Sequence, residues 1–301
     1  MKKSDTNFTK LNSFILVSTF FFLWLAVYFE DRVEDIFAYT LIFSFGILHG
    51  SNDLKLLHTS PFNRRLGNGF FTISIYYLMF IGLSILFFHF FPDIALVWFI
   101  LFSGYHFGEQ HWISKIKELS VVAKVFFISY GLFILFLLFH AHWIEVSSII
   151  QSITGFLPSF NYYSYPLWIS AVVFVLSYLF LFKQKKASAA IVQEVFYLLV
   201  FYIIFNTASL IWAFAIYFVL WHSLPSLADQ IKFLYGSVSK HNFIKYLKSS
   251  SIYWGISVLG LAVLFWTLKD SGETTFLPIF FSFLAAITFP HVVVISRLNG
   301  R

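Results

Sequence analysis

Residues 36–58 read IFAYTLIFSFGILHGSNDLKLLH. Up to Leu48 the stretch is apolar or weakly polar, and then His49, Asp53 and His58 follow within ten residues. Such a segment can enter a bilayer, where ionisable side chains are costly, face the protein interior and mark function. The rest of the chain agrees with a lipid setting. It has 301 residues, 59% hydrophobic and only 11% charged, against about 25% charged in soluble domains. Its mean hydropathy is +0.80, and it repeats apolar runs of about 17–22 residues, long enough to cross a membrane. There are no cysteines, which excludes disulfides, thiolate metal ligands and cysteine nucleophiles. The 43 phenylalanines read as lipid-facing bulk.

The expected fold is all-α: one polytopic integral membrane helical bundle over residues 1–301 with about ten transmembrane helices (8–10). The expected spans are 11–29, 36–57, 70–91, 93–113, 122–142, 166–182, 189–205, 207–222, 250–268 and 275–296. Residues 1–10 form a short cytoplasmic tail, and the first span, lacking a small-residue cleavage site, is a retained helix. With the N-terminus inside, seventeen Lys and Arg fall on inner segments, among them Lys2, Lys3, Arg64, Arg65, Lys115, Lys183, Lys232, Arg297 and Arg301. Only Arg32 and Lys269 fall outside. This bias predicts both termini in the cytoplasm. It also accounts for the net charge of +6 without a nucleic-acid partner. The inner connection 223–249 reads as an amphipathic surface helix with Leu227, Ile231 and Leu234 toward lipid.

On this topology the spans bearing His49, His106, His222 and His291 all run from outside to inside. His49 lies 13 residues past Ile36, His106 13 past Asp93, His222 15 past Thr207 and His291 16 past Thr275. At 1.5 Å per residue all four sit about 20–24 Å below the outer boundary. His89, His140 and His142 fall at outer helix ends, His241 in a loop, and His58 and His111 near the inner surface. Four neutral imidazoles converging at one depth suit Fe, Zn, Cu or Ni. Gly46/Gly50 and Gly104/Gly108 bracket two of these histidines at the small-xxx-small spacing that lets helices approach, which would bring His49 and His106 together. Pro225 and Pro290 open or end helices beside the other two. Asp53 and Glu109, near His49 and His106, are candidates to accept the second ring N–H of a ligand.

The motifs LHGSNDL, YHFGEQHW, LWHSLPS and FPHVVV, in that order across residues 46–296, resemble the four histidine motifs of the Brp/Blh family of β-carotene 15,15′-dioxygenase-like membrane proteins. The resemblance implies cleavage of the central double bond of β-carotene by O₂ at non-haem Fe(II), giving two retinals for a microbial rhodopsin in a bacterial plasma (inner) membrane. It implies iron ligands, and so catalytic residues, drawn from His49, His106, His222 and His291. Two positions depart from the family pattern: Ser226, where a second histidine is frequent, and His111, where an acidic residue is common. His111 therefore joins Asp53 and Glu109 among the residues that could support the ligands. The chemistry is consistent, because an unactivated C=C bond offers no leaving group or acidic proton, so a redox cofactor must act. Tyr105, Phe107, Trp112 and Trp221 are candidates to line an apolar tunnel for the lipid-dissolved substrate.

Two other classes use intramembrane histidines. A transporter would employ His49, Asp53 and Glu109 as a proton relay, and a haem-b protein would use histidine pairs as axial ligands. The clustered HxxxH and HxxHH boxes of di-iron desaturases are absent, as are an HExxH helix and a phosphate-binding loop.

Overall fold

A computed structural model describes residues 2–61, 63, 69–187, 191–268 and 273–298. The fold is all-helical, 87% helix with no strand among the described residues. In chain order the helices are α1 (Lys2–Tyr28), α2 (Asp31–Leu41), α3 (Asp53–Thr59), α4 (Phe70–Phe90), α5 (Pro92–Trp112), α6 (Val121–Ala141) and α7 (Trp143–Thr154). They continue as α8 (Asn161–Lys183), α9 (Ile191–Thr207), α10 (Leu210–Ala215), α11 (Leu224–Tyr235), α12 (Lys240–Leu268) and α13 (Glu273–Leu298). Two π-helical stretches, Ile42–Gly46 and Ile216–Ser223, follow α2 and α10.

Six helical stretches are long and apolar enough to cross a membrane: Leu11–Tyr28, Phe70–Phe90, Val121–Ala141, Asn161–Lys183, Leu210–Tyr235 and Ile279–Leu298. The other expected spans coincide with Asp31–Leu41, Pro92–Trp112, Ile191–Thr207 and Lys240–Leu268, which are not among the six. Outward faces carry large apolar side chains, such as Phe71 and Leu78 on α4, Trp168 and Leu176 on α8, and Ile252 and Ile256 on α12. Apolar exposure on this scale marks a surface made for lipid or for another protein. Arg64, Arg65, Lys269 and Arg301, used in the charge argument, lie outside the described residues.

Local chemistry explains the punctuation. Pro92 opens α5 where its missing N–H costs nothing. Ser120 caps α6 by accepting from the Ala123 N–H at 3.2 Å. Gly155 and Gly236 end α7 and α11 in the left-handed region, with φ of 78° and 81°. The start of α10 is capped from a distance: buried Glu34 on α2 accepts from the Ser209 N–H at 2.8 Å.

The expected tail 1–10 is helical from Lys2 as the start of α1, and the structure departs from the expected segments in three further places. The stretch 36–57 is not one continuous helix, because it passes through a π-helical turn and then a tight turn at residues 49–52 before α3. Gly50, Ser51 and Asn52 favour that break. Helix α8 starts at Asn161 and carries Pro166 inside it rather than at its first position. Leu227 and Ile231 do not face lipid. They are buried with Leu48 and Tyr246, so the apolar stripe of α11 packs inward under the His49 turn.

The main core is a single cluster with two closely packed parts. Helices α5, α6 and α8 form the tightest packing, filled by Trp112, Phe126, Tyr130, Phe174 and Tyr178. In the other part, α2, α10 and the π-helical stretches pack on one another, with Phe280 and Phe281 of α13 against Tyr39, Phe43 and Phe214. His106 lies on α5 of the first part, His222 on a π-helical stretch of the second and His291 on α13.

Candidate functional site

His49 sits on the turn after the first π-helical stretch, His106 in α5, His222 inside the second π-helical stretch and His291 in α13. One of the four is thus presented by π-helical backbone and another sits three residues past such a stretch, a distortion frequent at functional sites. Such a turn disturbs the regular pairing of carbonyls, and here they find other donors. The Trp254 indole N–H donates to the carbonyls of Phe43 (2.8 Å) and Ser44 (3.2 Å), and Ser223 Oγ donates to Phe218 O at 2.8 Å. The hydroxyl of Tyr246 lies 3.3 Å from His49 O and 2.7 Å from Gln230 Oε1, fixing the turn from below.

The four imidazoles close into a ring. Centroid separations run 5.3 Å from His49 to His222, 4.7 Å from His222 to His106, 5.1 Å from His106 to His291 and 4.8 Å from His291 to His49. Neighbouring rings stand at 75–90° to one another. All four residues are at most 5% exposed. Phe107 (4.6 Å from His222) and Phe218 (5.6 Å from His49) wall the group with aromatic surface.

The hydrogen bonding around this ring is incomplete. Both ring nitrogens of His106, Nδ1 of His222 and Nε2 of His291 are buried without a hydrogen-bond partner. A buried polar atom left unpaired costs about 1–3 kcal/mol, so several at one point call for a further binding group. Two other ring nitrogens have defined partners. His49 donates from Nδ1 to Gly46 O, which leaves its Nε2 with a free lone pair. His291 Nδ1 lies 2.9 and 3.0 Å from the two carboxylate oxygens of Asp53, and the Tyr77 hydroxyl donates to the same carboxylate at 2.9 Å. A carboxylate on one imidazole nitrogen directs the other nitrogen toward a ligand.

Imidazoles bound to one ion at about 2.0–2.1 Å would have neighbouring centroids about 4.5–5.2 Å apart for bond angles between square and tetrahedral, close to the observed spacing. Among the described residues, no three His, Asp or Glu side chains already converge tightly enough to hold an ion as they stand. The rings are gathered at the right spacing, and their nitrogens would have to turn onto one point to complete a donor set. The residues present fit a metal on both counts, spacing and orphaned donors.

The remaining candidates fall elsewhere. Asp53 serves His291 rather than His49, because the turn at 49–52 carries it across to α13. Glu109 is buried and accepts from Tyr105 at 3.2 Å, and neither nitrogen of His106 has a hydrogen-bond partner. His111 pairs with Glu194 at 2.7 Å and stacks on Tyr130, outside the ring of four. Ser226 accepts from Gln230 at 3.2 Å, supporting the residue that receives Tyr246. Trp112 packs on Phe126 and Tyr178, and Trp221 packs on Tyr197 and Phe201 while donating to Thr19 at 3.0 Å. Both tryptophans belong to the core, whereas Phe107 touches the imidazoles. His58, His89, His140 and His142 contact Phe70, Phe90, Phe160 and Glu145 respectively, away from the ring.

The glycine pairs do not join the two histidine segments to each other. Gly108 and Gly104 lie against Phe127 and Leu132 of α6, and Gly131 of α6 lies against Gly104. Gly46 is covered by the Phe218 ring, and Gly50 meets His291. Close approach is their function, but the partner of α5 is α6, the next helix in sequence. Tyr77, Trp254, Tyr246 and Gln230 were not anticipated. Nothing in the pattern of α4 singles out Tyr77, because Thr72, Ser74, Tyr76 and Ser84 are hydrogen-bonding groups on the same helix.

An all-helical chain with several membrane-length apolar helices has the make-up of an integral-membrane protein, and four buried histidines meet in its interior. The model of the family Beta-carotene 15,15'-dioxygenase matches residues 40–299, and the chain belongs to that family. All four histidines and Asp53 lie in the matched range. The family is one of carotenoid dioxygenases, which are oxidoreductases. No curated protein and no solved structure matches the chain.

Proposed function

We propose that this protein cleaves the central double bond of β-carotene with O₂, giving two retinals, with Fe(II) held by His49, His106, His222 and His291. The observation that carries this reading is the closed ring of four buried imidazoles with orphaned nitrogens. Iron bound there would supply the activation of O₂ that an unactivated C=C bond requires. Asp53 keeps the proton of His291 on Nδ1, and Tyr77 orients that carboxylate. Phe107 and Phe218 keep water from the imidazoles and offer apolar surface to a polyene. We place the protein in a bacterial inner membrane with ten spans and both termini cytoplasmic. The charge bias supports that orientation, and retinal made there would serve a microbial rhodopsin.

The spacing disfavours a haem. A macrocycle between two axial imidazoles needs the equatorial space that the other two rings fill at 4.7–5.3 Å. The test is expression in a β-carotene-accumulating bacterium, with retinal measured by chromatography and iron measured on the purified protein. Wild type should lose the orange colour and form retinal, and His49→Ala and His106→Ala should do neither. Iron-loaded wild type that forms no retinal would refute the reading.

A further inference from the structure

Five residues beyond His106, near the end of α5, His111 belongs to a second polar cluster that the imidazole ring does not use. Glu194 of α9 accepts from Lys115 Nζ at 2.7 Å through one oxygen, and His111 Nε2 lies 2.7 Å from the other. Lys115 Nζ and His111 Nε2 are themselves 3.0 Å apart. The three groups line a cavity of about 290 Å³ between α1, α5, α9 and α11, near the lower bound of ligand pockets, about 300 Å³. Tyr197 and Trp221 give it an aromatic wall, and Gln193 and Asp229 add polar atoms. Trp221 directly precedes His222 in the chain, so the cavity backs onto the same π-helical stretch as the imidazole ring.

A lysine this enclosed has a specific chemistry. Burial lowers the Lys115 pKa, with the Glu194 carboxylate opposing the shift. A desolvated lysine amine is the nucleophile that condenses with carbonyl compounds. His111 Nε2 can be a donor to Glu194 or an acceptor from Lys115, not both, so the cluster can hold the proton on either group.

We propose that Lys115 captures an aldehyde product, retinal in the reading above, as a protonated imine in this cavity, with Glu194 as its counterion. The amine nitrogen bonds to the aldehyde carbon, and the carbonyl oxygen leaves as water with the two amine hydrogens. One further proton remains on the imine nitrogen opposite Glu194. Hydrolysis reverses each step and frees the product, and no oxidant or reductant is needed. The proposal rests on the cleavage reading for the identity of the aldehyde, while its test does not require cleavage.

Retinal is added to the purified wild-type protein in detergent, the adduct is fixed with borohydride, and lysine peptides are mapped by mass spectrometry. Lys115 should be modified in preference to the exposed Lys117 and Lys124, with a red-shifted absorption band before reduction. Lys115→Arg should remove that band and that adduct. Glu194→Gln should keep the adduct but move the band back toward shorter wavelength at neutral pH, because the imine loses its counterion. Modification of Lys115 no greater than that of Lys117 and Lys124 in wild type would overturn the proposal and leave the cluster as a strut between α5 and α9. Separately, absence of retinal from β-carotene would overturn the cleavage reading alone.

Discussion

The contact between α5 and α6 predicts that a single methyl group will disable the site. A Cβ built on Gly108 would lie 1.8 Å from Phe127 O, and ordinary contact begins near 3.4 Å. The difference, 3.4 less 1.8, is 1.6 Å that the helices must yield. The obstruction is backbone, so no side chain can rotate away. Overpacking costs about 1–3 kcal/mol, and Gly108→Ala should fall at the upper end. His106 is two residues away on the same helix, and its ring is 4.7 Å from His222 and 5.1 Å from His291. A displacement of about 1 Å in a reacting geometry can cost about 100-fold in rate, so retinal formation should fall by that order. Thermal unfolding in detergent, followed by tryptophan fluorescence, and retinal output measure the two effects. Gly255→Ala is the control, since nothing lies within 4 Å of its added methyl and alanine gains about 0.5–1 kcal/mol in a helix. Gly108→Ala with wild-type unfolding and wild-type retinal output would refute the reasoning.

Other substitutions probe the site and its frame. Asp53→Asn removes the charge that holds the His291 N–H, and iron affinity measured by competition with a chelator should drop about 10–100-fold, with Tyr77→Phe milder. His106→Leu replaces two unpaired buried nitrogens, so the metal-free protein should unfold at a higher temperature than metal-free wild type, by an amount set by about 1–3 kcal/mol per relieved group. Stripping iron should lower the unfolding temperature of wild type, by up to about 4 kcal/mol of linked stability when iron is a thousandfold above its Kd, and should leave His106→Leu unchanged. Glu34→Ala uncaps α10 at Ser209 and should cost about 0.5–2 kcal/mol in unfolding.

The sequence carried the helical class through its apolar periods and low charge, and it marked His49, His106, His222 and His291 through their shared distance from the helix starts. The same counting could not show which helices touch. Gly104 and Gly108 announce close approach but not its partner, and α6 takes it because α5 and α6 are joined by a short connection. Asp53 was legible as a carboxylate near a histidine, but its partner depended on the tight turn at 49–52, a feature without periodicity. The burial of Leu227 and Ile231 followed from tertiary contact with Tyr246, because an amphipathic stripe looks the same against protein as against lipid. The π-helical turns were invisible, since the segments that hold them are apolar at nearly every position and show no period to interrupt.

The extra residue that widens a π-helical turn has a consequence for the chain's tolerance to change in length. Successive residues of an α-helix are set about 100° apart around its axis. Ile216, Tyr217, Val219 and Leu220 are buried, so removing one of them takes a side chain out of the core. Where the wide turn persists after such a deletion, each later residue is carried about 100° around the axis, and the His222 imidazole swings about a quarter turn away from the other three. The segment holds its geometry as a phase offset, so its residue count constrains it more tightly than the identity of most of its side chains.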